Sequence, residues 1–278
     1  AAGHPHAEHE ALCQLGEKAE GADLYVSLEP CCHWGKTPPC TDFIKKHKIA
    51  RVYFGFCDPN PQVAGRSSTI LTNAGIAVTH LPVAEIDQFY ASYAYALKHR
   101  KPFVTAKLAM SADGAIAGEN GVPVKITNRE VDKLTHIHRL SADAILTTAK
   151  TINNDNPQLN VRIEQKPIAK PIYILDRNLS LYDDLQIYQT AAQITVFHSA
   201  AANQLRRKQF EKRGITCVEI ATVEQKLRLS DVLYYLGEQG VHDLWVEAGG
   251  ECLASLIKAN LVNRMIFYVA DKQLGEQA

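Results

Sequence analysis

The chain lacks an excess of charge of either sign: 30 lysines and arginines stand against 30 aspartates and glutamates in 278 residues. Without a net field to hold a polyanion or an anionic bilayer, nucleic-acid and membrane partners start disfavoured. Long apolar runs are missing too, and nothing approaches the roughly 18 consecutive apolar residues of a membrane span. The opening Ala1-Ala2-Gly3-His4-Pro5 has neither the basic nor the apolar region of a secretory signal. It also lacks an initiating Met, so further residues are expected upstream. Cysteine is too scarce for a disulfide framework. The seven are Cys13, Cys31, Cys32, Cys40, Cys57, Cys217 and Cys252, an odd number unevenly spread. That usage fits a reducing cytoplasm with metal-binding or idle thiols, and cytoplasmic localisation is expected. Neither an internal repeat nor a low-complexity tract is present.

What remains is an ordinary folded composition, 46% hydrophobic and 22% charged. At roughly 100 to 200 residues per domain, the length predicts two domains. Ala7, Ala11, Leu12, Leu15 and Ala19 mark one face of a helix over 6–20. Cys13 is placed on that apolar face and Cys57 at a strand end, both as small buried hydrophobes. Strands are predicted at 24–28, 51–56 and 76–81, and helices at 41–47, 67–74 and 83–98. The alternation is βαβ logic, parallel strands covered by helices. The basic His99-Arg100-Lys101-Pro102 places the boundary, giving domains 1–100 and 101–278. In the second domain strands are predicted at 103–109, 144–148, 171–175, 193–198, 216–220, 244–247 and 265–270. Helices are predicted there at 128–140, 202–213, 230–236 and 251–259. Both halves are α/β.

His6-Ala7-Glu8 stands at the start of the first helix, with Pro30-Cys31 and Cys40 downstream. One imidazole and two thiolates make three ligands for Zn²⁺ and leave a fourth position for water, as hydrolytic zinc sites require. Glu8 is placed to carry a proton between that water and a leaving amine without ligating the metal. H-x-E with a downstream P-C is the signature of zinc-dependent nucleobase deaminases. His4 and His9, flanking the motif, read as solvated polar residues, and the register after Pro30 favours Cys31 over Cys32.

The second cysteine spacing departs from the commoner C-x-x-C: the loop runs Pro30-Cys31-Cys32-His33-Trp34-Gly35-Lys36-Thr37-Pro38-Pro39-Cys40. It resembles the deaminase half of the bifunctional RibD family of riboflavin biosynthesis, with its P-C-x-H-x-G-(R or K)-T-P-P-C loop. Asp58-Pro59-Asn60-Pro61 and Val63-Ala64-Gly65 match that family's D-P-N-P-x-V-A-G stretch. The resemblance implies His6, Cys31 and Cys40 as zinc ligands and Glu8 as catalytic proton shuttle. It further implies His33, Lys36, Asp58 and Asn60 as substrate contacts, and a cytidine-deaminase-like α/β/α domain. A phosphorylated ribose needs cationic groups such as Lys36, and a pyrimidine edge needs partners such as Asp58 and Asn60.

The resemblance continues into the second half, implying a dihydrofolate-reductase-like α/β domain that uses NADPH. Lys107 to Gly114 matches K-x-A-x-S-x-D-G, and Arg139, Asp143 to Leu146, Thr151, Asp155, Pro157, Leu159 and Arg162 follow the family's order. Glu247-Ala248-Gly249-Gly250 takes the place of its acidic glycine turn. Carried over by position, Lys107, Arg139, Leu159, Arg162 and Glu247 contact substrate. Ala109, Thr151, Asp155, Gly249 and Gly250 contact the cofactor. A glycine turn between strand and helix presents backbone N–H groups to phosphate, and Arg139 and Arg162 are expected to fork onto the substrate phosphate.

The family's G-x-S-x-W-I-T segment is replaced by Gly121-Val122-Pro123-Val124-Lys125-Ile126-Thr127, in which Pro123 and Lys125 supply neither a hydroxyl nor an aromatic surface. Lys125 and Arg177 are the candidates to compensate by binding cofactor phosphate. The resemblance also implies more chain before His6 and after Ala278, so both domains read as incomplete at the outer end.

The expected function is therefore riboflavin biosynthesis. A zinc deaminase acts on 2,5-diamino-6-(5-phosphoribosylamino)pyrimidin-4-one, and an NADPH-dependent reductase then converts ribosyl to ribityl. The partner is a phosphorylated pyrimidine, and a homo-oligomer is expected by analogy. One rival keeps the deaminase and makes the second half a regulatory nucleotide-binding module. Another makes the zinc structural in a nucleic-acid-binding module, against which the neutral charge and three-ligand set argue.

Overall fold

A computed structural model describes residues 4–118, 124–163 and 166–275. Two compact units divide the chain at Lys98 and His99. Among the described residues no helix is long and apolar enough to cross a membrane.

In the first unit the order is α1 (Ala7–Leu15), a 3-10 turn (Gly16–Ala19), β1 (Asp23–Leu28), α2 (Cys40–Lys46), β2 (Arg51–Phe56), α3 (Arg66–Asn73), β3 (Ala77–His80) and α4 (Ala84–His99). The three strands form a parallel sheet in chain order, with Asp23 opposite Arg51 and Arg51 opposite Ala77. Leu12, Ile44, Ile49, Val52 and Leu71 make the core between sheet and helices. α1 turns a different side inward from the one its alanines predict. Its buried residues are Glu8 and Leu12, four apart, while Ala7, Ala11, Leu15 and Cys13 are exposed. A carboxylate occupies the inward face because the functional cluster lies there. Cys57 is likewise exposed, not a buried hydrophobe.

The second unit is built on β4 (Phe103–Ser111), α5 (Arg129–Ser141), β5 (Ala144–Thr148), α6 (Ala149–Asp155), β6 (Pro171–Leu175), α7 (Ile187–Thr190), β7 (Gln193–His198), α8 (Gln204–Lys212), β8 (Thr216–Glu219), β9 (Thr222–Val223), β10 (Lys226–Leu227), α9 (Leu229–Glu238), β11 (Asp243–Glu247), α10 (Gly250–Lys258) and β12 (Arg264–Ala270). Seven strands pair in the order β12-β4-β11-β5-β6-β7-β8, parallel at every step. Side chains alternate between the faces with period two. Ile145, Ile172, Ile174, Ile194 and Val196 enter one apolar cluster, and Ala144, Leu146, Tyr173, Phe197 and Leu244 the other. Both faces are covered, as parallel sheets require.

Two features carry no clear signal in the sequence. α6 is rich in weak helix formers, Thr151, Asn153, Asn154 and Asp155, yet it is started by Thr148, whose hydroxyl accepts from Thr151 N. It stops at Asn156, in the left-handed region at φ 41. The hairpin β9–β10 turns on Glu224 and Gln225, at φ 49 and 61, without the Asn-Gly pair that usually marks such a turn.

Candidate active sites

In the first unit, the start of α1, the loop after β1 and the start of α2 bring together the three expected metal ligands, His6, Cys31 and Cys40. Nδ1 of His6 lies 3.5 Å from Cys31 Sγ and 3.3 Å from Cys40 Sγ. Among the described residues, His6, Cys31 and Cys40 form a cluster whose ligand atoms all fall within 4.8 Å of one another. A tetrahedral ion bonded to one nitrogen and two sulfurs holds N and S about 3.5 Å apart, so the donor set fits zinc in geometry as well as in kind.

The thiols are already polarised toward that use. Cys31 is brought down to about 6, first by a hydrogen bond from Cys40 and then, against burial, by the Cys40 backbone N–H and His6. Cys40 is pushed up because it shares its proton with Cys31, and burial and the nearby Glu8 carboxylate add to this. Metal binding needs both as thiolates and releases the shared proton. Thr37 Oγ1 lies 3.3 Å from His6 Nε2. With Nε2–H donating to Thr37, the Nδ1 lone pair faces the sulfurs.

Glu8 is 9% exposed and near enough to Cys40 to act on its thiol. A cavity of about 420 Å³ adjoins the cluster, walled by Pro5, His9, Thr37, Pro38, Pro39 and Phe43 along with His6 and Cys40. The His9 ring, expected in solvent, lies 3.9 Å from that of Phe43. None of Glu8, His33, Lys36, Asp58 and Asn60 stands in this wall. Lys36 is exposed, and among the described residues the buried Nδ1 of His33 has no hydrogen-bond partner.

The Asp58–Gly65 stretch is tied to the metal loop by residues the sequence reading missed. Glu29, 2% exposed, accepts from Gly65 N with both carboxylate oxygens, at 3.0 and 3.2 Å. Gly65 sits at φ 71, the left-handed region that favours glycine. Ser67 Oγ donates to Pro30 O, one residue before Cys31. Asp58, 6% exposed, accepts at Oδ1 from Asn60 N at 2.9 Å and from the Tyr93 hydroxyl at 3.1 Å. The Asn60 side-chain oxygen is engaged by Gln62 N.

In the second unit an open cleft of about 860 Å³ is walled by Lys107, Ala109, Thr151, Asp155, Glu247 and Gly249, with Lys125 and Thr127 among the remaining lining residues. It lies at the carboxyl ends of parallel strands, where ligands of open α/β sheets bind. A Cβ on Gly249 would meet nothing within 4 Å, so the space beside it is left open. That opening and the N-terminal end of α10 suit a phosphate of NADPH. Thr151 Oγ1 is 3.0 Å from Thr148 Oγ1, and burial pushes the Asp155 carboxyl up.

Arg139, Leu159, Arg162 and Gly250 stand outside the wall of the cleft. The Arg139 fork, expected on phosphate, closes on Glu247 instead, with Nε and Nη2 at 2.6 and 2.9 Å from its two oxygens. Its Nη1 donates to Asn160 O at 3.0 Å. Burial pushes Glu247 up, but Arg139, Lys107 and the Trp245 indole together bring it below the ordinary carboxyl value. Leu159 buries its side chain in the core at φ 47, so only its backbone is free to meet a ligand. Arg162 is exposed and bonds Gln158 and Asn160. Lys125 pairs with Asp132 at 3.5 Å. Arg177 donates to Gln225 O at the β9–β10 turn and takes no part in the cleft. Pro123 lies outside the described residues.

Both halves of the chain match known families. Residues 1–56 match the zinc-binding region of cytidine and deoxycytidylate deaminases, and residues 102–278 match the RibD C-terminal domain. The chain is 36% identical over 282 residues to riboflavin biosynthesis protein RibD of Aquifex aeolicus, covering 99% of this chain and 76% of that protein. A solved structure of Acinetobacter baumannii RibD superposes with a TM-score of 0.88 at 32% identity, covering 100% of this chain and 76% of that one. A Thermotoga maritima diaminohydroxyphosphoribosylaminopyrimidine deaminase/5-amino-6-(5-phosphoribosylamino)uracil reductase gives 0.84 at 28% identity, covering 99% and 75%.

Proposed function

The chain belongs to the riboflavin biosynthesis protein RibD family, and on that premise we propose how its residues divide the family's two reactions. Its activities are the hydrolytic deamination of a phosphoribosylated diaminopyrimidinone and the reduction of the deaminated product's ribosyl group to ribityl. Residues 1–100 carry the first and residues 101–278 the second.

When bound, zinc supplies a Lewis acid that makes water nucleophilic at neutral pH, and NADPH supplies hydride. In the deaminase, His6, Cys31 and Cys40 hold the metal. Glu8 relays the two protons of the attacking water in turn, the first to the ring nitrogen and the second to the departing amine, so that N=C–NH₂ becomes HN–C=O and ammonia leaves. Lys36 receives the ribose phosphate, while His33, Asp58 and Asn60 hold the pyrimidine edge. The observation that carries this reading is the convergence of His6, Cys31 and Cys40 with a buried carboxylate beside Cys40. Glu8→Gln should retain zinc and lose ammonia release by about 10²- to 10⁴-fold. A variant that releases ammonia at the parent rate would remove Glu8 from the mechanism.

In the reductase, Lys107 and Glu247 face the reacting sugar and the substrate ring, with Leu159 contributing its backbone and Arg162 the phosphate contact. Arg139 holds Glu247. Ala109, Thr151, Asp155, Gly249 and Gly250 seat the cofactor, and Lys125, in the cleft wall, meets its extra phosphate. Lys125→Ala should then raise Kd for NADPH more than for NADH, and equal changes would sink that role. We read the protein as cytoplasmic, without a nucleic-acid or membrane partner, on the neutral charge and the scarce, odd number of cysteines, and as a homo-oligomer by analogy with enzymes of this kind.

A further inference from the structure

Two aromatic side chains of α4, Tyr90 and Tyr93, lead from the sheet toward the deaminase substrate loop. A Cβ on Gly55 of β2 would press on the Ile86 side chain in the first turn of α4 and on the Ser27 carbonyl. The bare glycine lets the helix settle on the strand. One turn on, Tyr90 stacks on Phe56 at 5.3 Å and bonds Ser27 Oγ through its hydroxyl at 2.8 Å. Tyr93, three residues later and on the same helix face, reaches Asp58 Oδ1 at 3.1 Å.

We infer that Tyr93 is a positioning residue for deamination, holding the Asp58 carboxylate so that its second oxygen is presented to the amino and ring N–H groups of the pyrimidine. Oδ1 accepts two bonds, from the Tyr93 hydroxyl and from Asn60 N. Two donors at fixed angles lock the carboxylate plane. Among the described residues no hydrogen bond is made to Oδ2, which is the acceptor left for a donor-rich pyrimidine edge. Burial first, and then the Asp58 charge, push the Tyr93 phenol up, so it stays protonated and donating through the neutral range. A phenylalanine at this position would fill the same space and leave the carboxylate free to turn.

This inference rests on Asp58 contacting substrate, and the test separates the two claims. Steady-state ammonia release by the full chain is measured for the parent, Tyr93→Phe, Asp58→Asn and the double variant, with zinc content and NADPH-linked reduction as controls of folding. Tyr93→Phe should raise KM about tenfold, one charge-assisted hydrogen bond's worth of alignment, with kcat changed far less. In the Asp58→Asn background the same change should add nothing. A KM unaltered by Tyr93→Phe while Asp58→Asn raises it overturns the role of Tyr93 alone. An equal effect of Tyr93→Phe in both backgrounds also overturns it, because the tyrosine would then serve only packing. Asp58→Asn with the parent KM overturns the substrate contact and, with it, this inference.

Discussion

At the scale of single residues, a pairing decides what a side chain can do. Arg139 is the clearest case. The family resemblance implies a phosphate contact for it, but the fork is closed on Glu247, with side chains 10% and 14% exposed. Removing one member of such a pair leaves the other charge without compensation, so Arg139→Met should cost about 3 kcal/mol in urea unfolding at neutral pH. The Arg139→Met, Glu247→Leu double variant should recover much of that. The pH dependence follows from the lowered carboxyl of Glu247. A depressed carboxylate contributes stability that is complete above its unfolded pKa of about 4.3 and is lost as the pH falls through the lower folded value. The Arg139→Met penalty should therefore shrink below about pH 4; a penalty constant from pH 7 to 3 would show that the ion pair is not its source. The residues carrying metal chemistry could be read directly, because His6, Cys31 and Cys40 need only their type and order to be recognised. Glu29, Thr37 and Tyr93 could not. Each acts through a neighbour distant in the chain, and an isolated glutamate, threonine or tyrosine has no spacing to betray it.

At the scale of elements, hydrophobic period located most helices and strands to within a residue or two, and close approaches then fixed how they sit. The central strands β5, β6 and β7 read clearly because they are buried on both faces and rich in branched side chains. α6 and the β9–β10 turn did not, since one is held by a cap and the other by backbone geometry. α9 shows what contact adds to period. Near its end, a Cβ on Gly237 would collide with Arg100 O, with Lys101 Cα also within 3.1 Å. The helix rests on the backbone that leads into β4. Gly237→Ala should improve helix propensity yet destabilise the protein by about 2 kcal/mol, as overpacking does. Thermal unfolding checks the sign, and a stabilised variant would mean that the helix can shift freely.

At the scale of the whole molecule, two units carry two sets of reactive groups. The thiolate and imidazole ligands belong to the first, and the cleft walled by Lys107, Asp155 and Glu247 to the second. A strong chelator should therefore abolish ammonia release while leaving NADPH oxidation at 340 nm, measured with the deaminated product, within about twofold. Parallel loss of both activities would contradict the division. By itself the sequence determined the α/β class, the metal donors and the family, because ligand chemistry and strand periodicity are written in residue type and interval. Only tertiary structure decided which face of α1 is buried, which arginine is occupied by a carboxylate and which tyrosine steadies Asp58. Those outcomes depend on distances between segments far apart along the chain, which local patterns do not specify.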